Sequence, residues 1–355
     1  MSQTKQIEEL IPIKIKSGLG YDIIIGQELD DLIINEFEGN VFGVVDQNVY
    51  DIYNKKYNFD RLGDRLYVLK SGEQSKQWKY AQAIARKMLN SGCNRQTKMI
   101  AVGGGVTGDL SGFVASIFMR GVKIVHVPTT LLSCVDSSIG GKTGINLDDY
   151  KNILGAFYQP SKILISANFI KTLPLREIKC GIGEIIKTAL ISQKVFEYLS
   201  ANISKILILD QQAIFNVIKL CIEFKDYITS SDEREASLRK ILNLGHTIGH
   251  ALETANKFKL SHGEYVLCGI ELESKIARNL GIVDEEYYKT IMHFLRLVST
   301  PKIKIKNIDH LIKIMKADKK NAEGKIDFIF AKNQGETQEY LLEPDRLKTL
   351  LEAVV

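Results

Sequence analysis

The stretch "KMIAVGGGVTGDLSGF", Lys98–Phe113, decides the fold. A short apolar run ends in an unbroken glycine triplet and passes into a segment with helical character. Gly103, Gly105 and Gly108 satisfy G-x-G-x-x-G between a strand and a helix, where bare amides can cradle a pyrophosphate. The match departs from the ordinary dinucleotide fingerprint. About 20 residues further on, where an acid for the ribose is expected, the chain reads Val-Pro-Thr-Thr. Asp46, at the end of "VFGVVD", is the available substitute.

Outward from this stretch, "VFGVVDQ", "RLYVLKSG", "KIVHVPTT" and "KILISAN" read as further Val- and Ile-rich strands, and "SKQWKYAQAIARKML" as a crossover helix. Strands separated by helices predict a largely parallel α/β sheet. Beyond "NFIKTLPLREIKCG" the texture turns to long helical patterns such as "QAIFNVIKLCIEFKDYIT" and "YVLCGIELESKIARNL". Pro174 would interrupt any helix there. The expected fold is α/β, with a Rossmann-like, dinucleotide-type domain over residues 1–174 and a mainly α-helical domain over 175–355, whose roles in binding NAD, metal and substrate come from the resemblance given below.

Length and composition agree with this division. At 355 residues the chain exceeds the usual size of one core, and its 45% hydrophobic and 25% charged content is that of a globular protein. A net charge of +5 on scattered basic residues gives no nucleic-acid stripe, yet suits an anionic small substrate. No long apolar run suggests a membrane span, and "MSQTKQIEEL" is not a signal peptide. Five widely spaced cysteines without a CxxC pair read as reduced thiols in a cytoplasmic protein.

Two of the six histidines, His246 and His250, lie one helical turn apart in "LNLGHTIGHALE". That spacing serves a metal clamp, an acid–base pair or merely an amphipathic face. His262 follows in "LSHGEYV", and two imidazoles with a carboxylate form a common divalent-metal set. Spacing alone leaves Glu184, Glu253 and Glu264 equally available. His126, His293 and His310 lack such company and read as structural or surface residues. "PTTLLSCVDSSIGGKTGINLDDYKN" reads as a functional loop, with hydroxyls, Asp136, Lys142 and Lys151 suited to anions.

From about Asp46 to Lys320 the chain resembles the 3-dehydroquinate synthase family of sugar phosphate cyclases. The resemblance rests on ordered motifs: "DQN", "SGEQSK", "GGGVTGDLSGF", "RG", "PTTLLSCVDSSIGGKTGIN", "KN", "FIKTLP", "GEIIK", "DEREASLRKILNLGHTIGHALE", "HGE" and "DKK". Gly183 stands where alanine is usual and Leu244 where phenylalanine is usual; neither position carries polar chemistry.

The resemblance implies one Zn²⁺ or Co²⁺ on Glu184, His246 and His262. It implies NAD contacts at Asp46, Asn48, Ser71, Gly72, Glu73, Gln74, Ser75, Lys76, Gly104, Gly105, Val106, Thr107, Gly108, Asp109, Thr129, Thr130, Lys142, Lys151, Phe169, Ile170, Lys171 and Thr172. Glu235 and His250 become the acid–base pair, with Lys142, Arg120 and Asn243 also catalytic. Asp136, Asn152, Lys187, Lys225 and Arg239 become substrate contacts, joined by Lys319 or Lys320. The implied reaction turns 3-deoxy-D-arabino-heptulosonate 7-phosphate into 3-dehydroquinate and phosphate. It runs by transient oxidation, phosphate elimination, re-reduction and aldol closure, and is formally a lyase reaction. A homodimer is the family habit. The rivals are other sugar phosphate cyclases and NAD- and metal-dependent polyol dehydrogenases, which have no need of the phosphate clamp. Arg239, Asn243 and His250 together favour the dehydroquinate reaction. A non-catalytic binding protein is disfavoured because every catalytic position is filled.

Overall fold

The computed structural model describes residues 12–148, 150–257, 259–317 and 324–355. Lys319 and Lys320 lie outside these. The chain divides into two compact units: residues up to Thr172 together with Ile214–Ser230, and Leu173–Ala213 together with Ser231–Val355.

In chain order the first stretch gives β1 (Ile13–Lys16), β2 (Asp22–Gly26), α1 (Asp30–Glu36), β3 (Val41–Asp46), α2 (Gln47–Tyr57), β4 (Leu66–Leu69) and α3 (Trp78–Asn90). It continues with β5 (Lys98–Gly103), α4 (Gly105–Ile117), β6 (Ile124–Pro128), β7 (Lys142–Leu147), β8 (Tyr150–Phe157) and β9 (Lys162–Ser166). The remainder gives α5 (Leu175–Ile191), α6 (Gln193–Leu207), α7 (Gln211–Ser231), α8 (His246–Ala255), α9 (His262–Asn279), α10 (Glu285–Leu297), α11 (Ile308–Lys316), β10 (Ile326–Asn333), β11 (Glu336–Leu342) and α12 (Pro344–Val354).

The main sheet runs β1-β2-β9-β6-β5-β3-β4, and every pair except β1–β2 is parallel. Strand periodicity sorts its core. Val41 and Val45 of β3 pack with Ile100 and Val102 of β5 on one face. Phe42 and Val44 pack with Met99 and Ala101 on the other, beneath Ile84 and Met88 of α3 and Leu110 and Val114 of α4. Both faces are covered, so these strands read as continuous apolar runs rather than alternating ones.

Because β3 has β4 on one side and β5 on the other, the loops leaving β3 and β5 diverge. That switch point, at the carboxyl ends of the strands, is where open α/β sheets hold ligands. Asp46 ends β3 and the glycine triplet ends β5, so the decisive stretch lands there.

Two elements differ from the sequence expectation. The segment expected as a long loop after Pro128 closes into the antiparallel hairpin β7–β8. The second half, expected to be almost free of strands, carries the hairpin β10–β11. Pro174 stands immediately before α5 as its N-terminal flanking residue, with extended backbone, rather than inside a helix.

Candidate functional site

In the first unit, the segments expected to hold NAD gather at the carboxyl edge of the sheet. The Asp46 carboxylate accepts the Asn48 N–H at 2.9 Å and the Ser71 hydroxyl at 2.7 Å, joining the ends of β3 and β4. A Cβ on Gly103 would stand 2.6 Å from Thr107 Oγ1 and 3.0 Å from Asp46 Cβ, so glycine permits this close approach. Thr129 donates its N–H to the Gly103 carbonyl at 3.0 Å. Lys76 reaches Asp109 of α4 at 2.5 Å, while Asn146 donates to Glu73 at 2.8 Å. Phe169 and Ile170 are buried, and Phe169 packs edge-on against Tyr53 in the core. Those two positions offer a ligand their backbone rather than their side chains. Gln74 is exposed, and Ser75 turns its hydroxyl onto the Lys70 carbonyl.

Gly103, Gly104, Gly105, Gly108, Asp109, Ser137, Ser138, Lys142 and Thr143 line one cavity of this unit. The α4 N-terminus opens into it, an arrangement suited to anions. His126 joins its wall as a buried residue, in line with a structural reading. Its ring lies under Gly108, and burial holds its pKa down at about 4. Nothing in the sequence around His126 signals this; only the register of β6 beside β5 does. Asp136 is held by Lys225, whose ammonium lies 2.7 Å from its carboxylate. Arg120 and Asn152 both have left-handed backbone, with φ of 70° and 52°. Such conformations are costly for these residue types and cluster at functional positions. Arg120 is exposed and is not part of the cavity wall.

The second unit gathers the histidines. His246 is the first residue of α8 and His262 the first of α9, so both rings stand at helix starts. Their Nε2 atoms converge on one oxygen, Glu184 Oε1, at 3.7 and 3.4 Å. Glu184 lies on α5, fully buried, and its Oε2 receives the Lys187 ammonium at 2.5 Å. His246 Nδ1 faces the Leu244 carbonyl at 3.0 Å and His262 Nδ1 faces Glu253 at 3.5 Å. With each Nδ1 facing an acceptor there, it is Nε2 that each ring turns toward Glu184. Two such nitrogens and a carboxylate oxygen are the donor set of a divalent cation, so the residues fit the group.

The three open choices of carboxylate are thereby sorted by geometry. Glu184 meets both rings, Glu253 backs one ring, and Glu264 is engaged in a capping box with Ser261. Electrostatics agree with a cation site. Burial opposes charge on His262, but hydrogen bonds to Glu184 and Glu253 outweigh it and lift its pKa to about 9. Burial dominates at His246 and pushes its pKa down to about 3. One positive charge is favoured in the cluster, and a second is not.

His250 stands beside this pair, its ring centroid 5.0 Å from His246 and 5.5 Å from His262. One donor atom from each of the three imidazoles lies within 4.8 Å of the others. Nearby, the Asn243 amide donates to Glu235 at 2.9 Å, and Glu235 also has left-handed backbone, φ 61°. Arg239 is buried and donates to the Glu233 carbonyl at 2.5 Å. Asp232 accepts the N–H groups of Ser237, Ala236 and Arg239, which depress its pKa and brace this turn.

The chain shares its fold with solved synthases. It is similar to 2-deoxy-scyllo-inosose synthase complexed with carbaglucose-6-phosphate, NAD⁺ and Co²⁺, at TM-score 0.83, 23% identity, and coverage of 97% of this chain and 100% of that one. It is similar also to 2-epi-5-epi-valiolone synthase from Streptomyces hygroscopicus subsp. jinggangensis with NAD⁺ and Zn²⁺ bound. There the TM-score is 0.85 and the identity 23%, over 94% of this chain and 96% of that one. Sequence resolves the class further. Residues 66–180 match the family model of 3-dehydroquinate synthase N-terminal, and residues 181–321 that of 3-dehydroquinate synthase C-terminal. The 3-dehydroquinate synthase of Alkaliphilus metalliredigens is 41% identical over 93% of this chain and 95% of its own length. The chain belongs to the 3-dehydroquinate synthase family.

Proposed function

We propose that the chain converts 3-deoxy-D-arabino-heptulosonate 7-phosphate into 3-dehydroquinate and inorganic phosphate. NAD would be held by the carboxyl edge of the first unit, from Asp46 to Thr172, and Zn²⁺ or Co²⁺ by Glu184, His246 and His262. When bound, NAD supplies a hydride acceptor regenerated within each turnover, and the metal supplies a Lewis acid for adjacent hydroxyls.

The chain's own residues do the rest. Lys142, Arg120, Lys187, Lys225 and Arg239 supply cations for a substrate bearing a carboxylate and a phosphate. Asp136 and Asn152 accept and donate to its hydroxyls, with Asp136 oriented by Lys225. Glu235, fixed by the Asn243 amide, and the His250 imidazole exchange protons with the substrate. The observation that carries this reading is the convergence of two Nε2 atoms from separate helix starts on one Glu184 oxygen. Chelator treatment should abolish phosphate release, and Zn²⁺ or Co²⁺ should restore it. Full activity in exhaustively stripped protein contradicts it.

We also place the protein in the cytoplasm as a homodimer. All five cysteines are buried and none forms a disulfide, which suits a reducing compartment. No helix among the described residues is long and apolar enough to cross a membrane. The hairpin strand β8 exposes Tyr150, Ile153, Leu154 and Phe157, apolar surface available to a second copy. Membership of the 3-dehydroquinate synthase family supports a small-molecule substrate.

A further inference from the structure

We propose that Glu273 is a positioning residue that sets the metal affinity of the site through the first turn of α8; the inference rests on the metal reading above. Glu273 lies on α9 and is 1% exposed. Its Oε2 accepts the Gly245 N–H at 2.7 Å and its Oε1 the Ile248 N–H at 3.0 Å. These two donors flank His246. The helix has no side-chain cap of its own, because the residue before it is Gly245, with left-handed φ of 74°. The Ile248 amide, which a capping Ser or Asp would ordinarily satisfy, is therefore served from a neighbouring helix together with the Gly245 N–H.

The tie has two consequences for His246. First, it fixes the ring to the helix that begins with His262, so the two imidazoles keep their separation. The approach is close enough that a Cβ on Gly269 would stand 1.9 Å from the Gly245 carbonyl oxygen. Second, it supplies negative charge where the helix end is positive. A helix start carries about half a positive charge, and here two starts, each bearing a histidine, point at the position a cation would take. Glu264 offsets that charge at α9 through its capping box, and Glu273 offsets it at α8. Removing either the hydrogen bonds or the charge weakens the case for a cation at the rings.

The test compares Zn²⁺ affinity, measured by competition with a chromophoric chelator, in the parent and in Glu273→Ala, Glu273→Gln, Glu271→Gln and His246→Ala. Outer-shell partners of ligands typically contribute about 10–100-fold in metal affinity. Glu273→Ala should lose that much. Glu273→Gln, which keeps an acceptor and the shape but not the charge, should lose less, and Glu271→Gln should lose nothing. A merely structural residue would lower the melting temperature without changing the affinity of the folded molecules. If Glu273→Ala does not fold, the isosteric Gln variant carries the comparison. Parent-like affinity in both Glu273 variants, with His246→Ala greatly weakened, overturns this inference alone. Parent-like affinity in His246→Ala overturns the metal reading and this inference together.

Discussion

His246 and His250 are one turn apart on the same helix, and the proposed function gives them different work. His246 has its Nδ1 on a backbone carbonyl and its Nε2 toward Glu184, and His250 completes a near-equilateral triangle of rings with His246 and His262. We expect His246→Ala to lose the metal and His250→Ala to keep about one metal per chain. The latter should lose about 10²–10⁴-fold in turnover, the usual cost of a positioned acid–base group. Metal analysis of both purified variants checks this, and equal loss would make His250 a ligand. His126 gives a second prediction at this scale. Its folded pKa of about 4 lies below the unfolded value of about 6.5. The stability it contributes is therefore full above about pH 6.5 and lost as pH falls through 4, in all about 3 kcal/mol. Urea unfolding of wild type and His126→Gln between pH 7 and pH 4.5 should differ in slope by this component, and parallel curves would refute it.

At the scale of elements, the glycines show what the sequence conceals. Periodicity located five of the seven strands of the main sheet, all but β1 and β2, and the long helices, because buried parallel strands and amphipathic helices leave strong patterns. It read β7 and the start of β8 as a loop because that stretch is polar and glycine-rich, yet Gly144 and Gly155 stand inside the hairpin. The structure shows why they are glycine: a Cβ at Gly144 would stand 2.9 Å from the Leu154 carbonyl oxygen, and one at Gly155 2.3 Å from that of Thr143. Hairpin β10–β11 escaped notice because β11, "ETQEYLL", is too polar to stand out. In the same way, the choice among Glu184, Glu253 and Glu264 depends on how α5, α8 and α9 pack, which spacing along the chain does not encode. Gly269 tests that packing. An added Cβ there meets backbone at 1.9 Å from the Gly245 carbonyl oxygen and 2.8 Å from the Gly249 nitrogen. Gly269→Ala must push α8 from α9, costing at least the 1–3 kcal/mol, roughly, of an overpacked core. Thermal unfolding and Zn²⁺ affinity should both fall; an unchanged affinity would contradict the packing account.

At the scale of the molecule, the boundary between the two units was legible in the change of texture near Pro174, but the membership of Ile214–Ser230 was not. That segment reads as one more amphipathic helix of the second half, and it groups with the first unit through contacts distant in sequence. Ser17 donates to the Asp226 carboxylate and Lys225 reaches Asp136. The central claim is that a nucleotide-binding unit and a metal-binding unit together run a redox-neutral elimination and cyclisation. It is tested most directly by incubating the metal-loaded protein with the heptulosonate phosphate and a trace of NAD. Inorganic phosphate and absorbance at the NADH band should be followed together. The account predicts phosphate in large excess over NAD with no net NADH. Stoichiometric NADH without phosphate release would contradict it and assign the chain to polyol dehydrogenation.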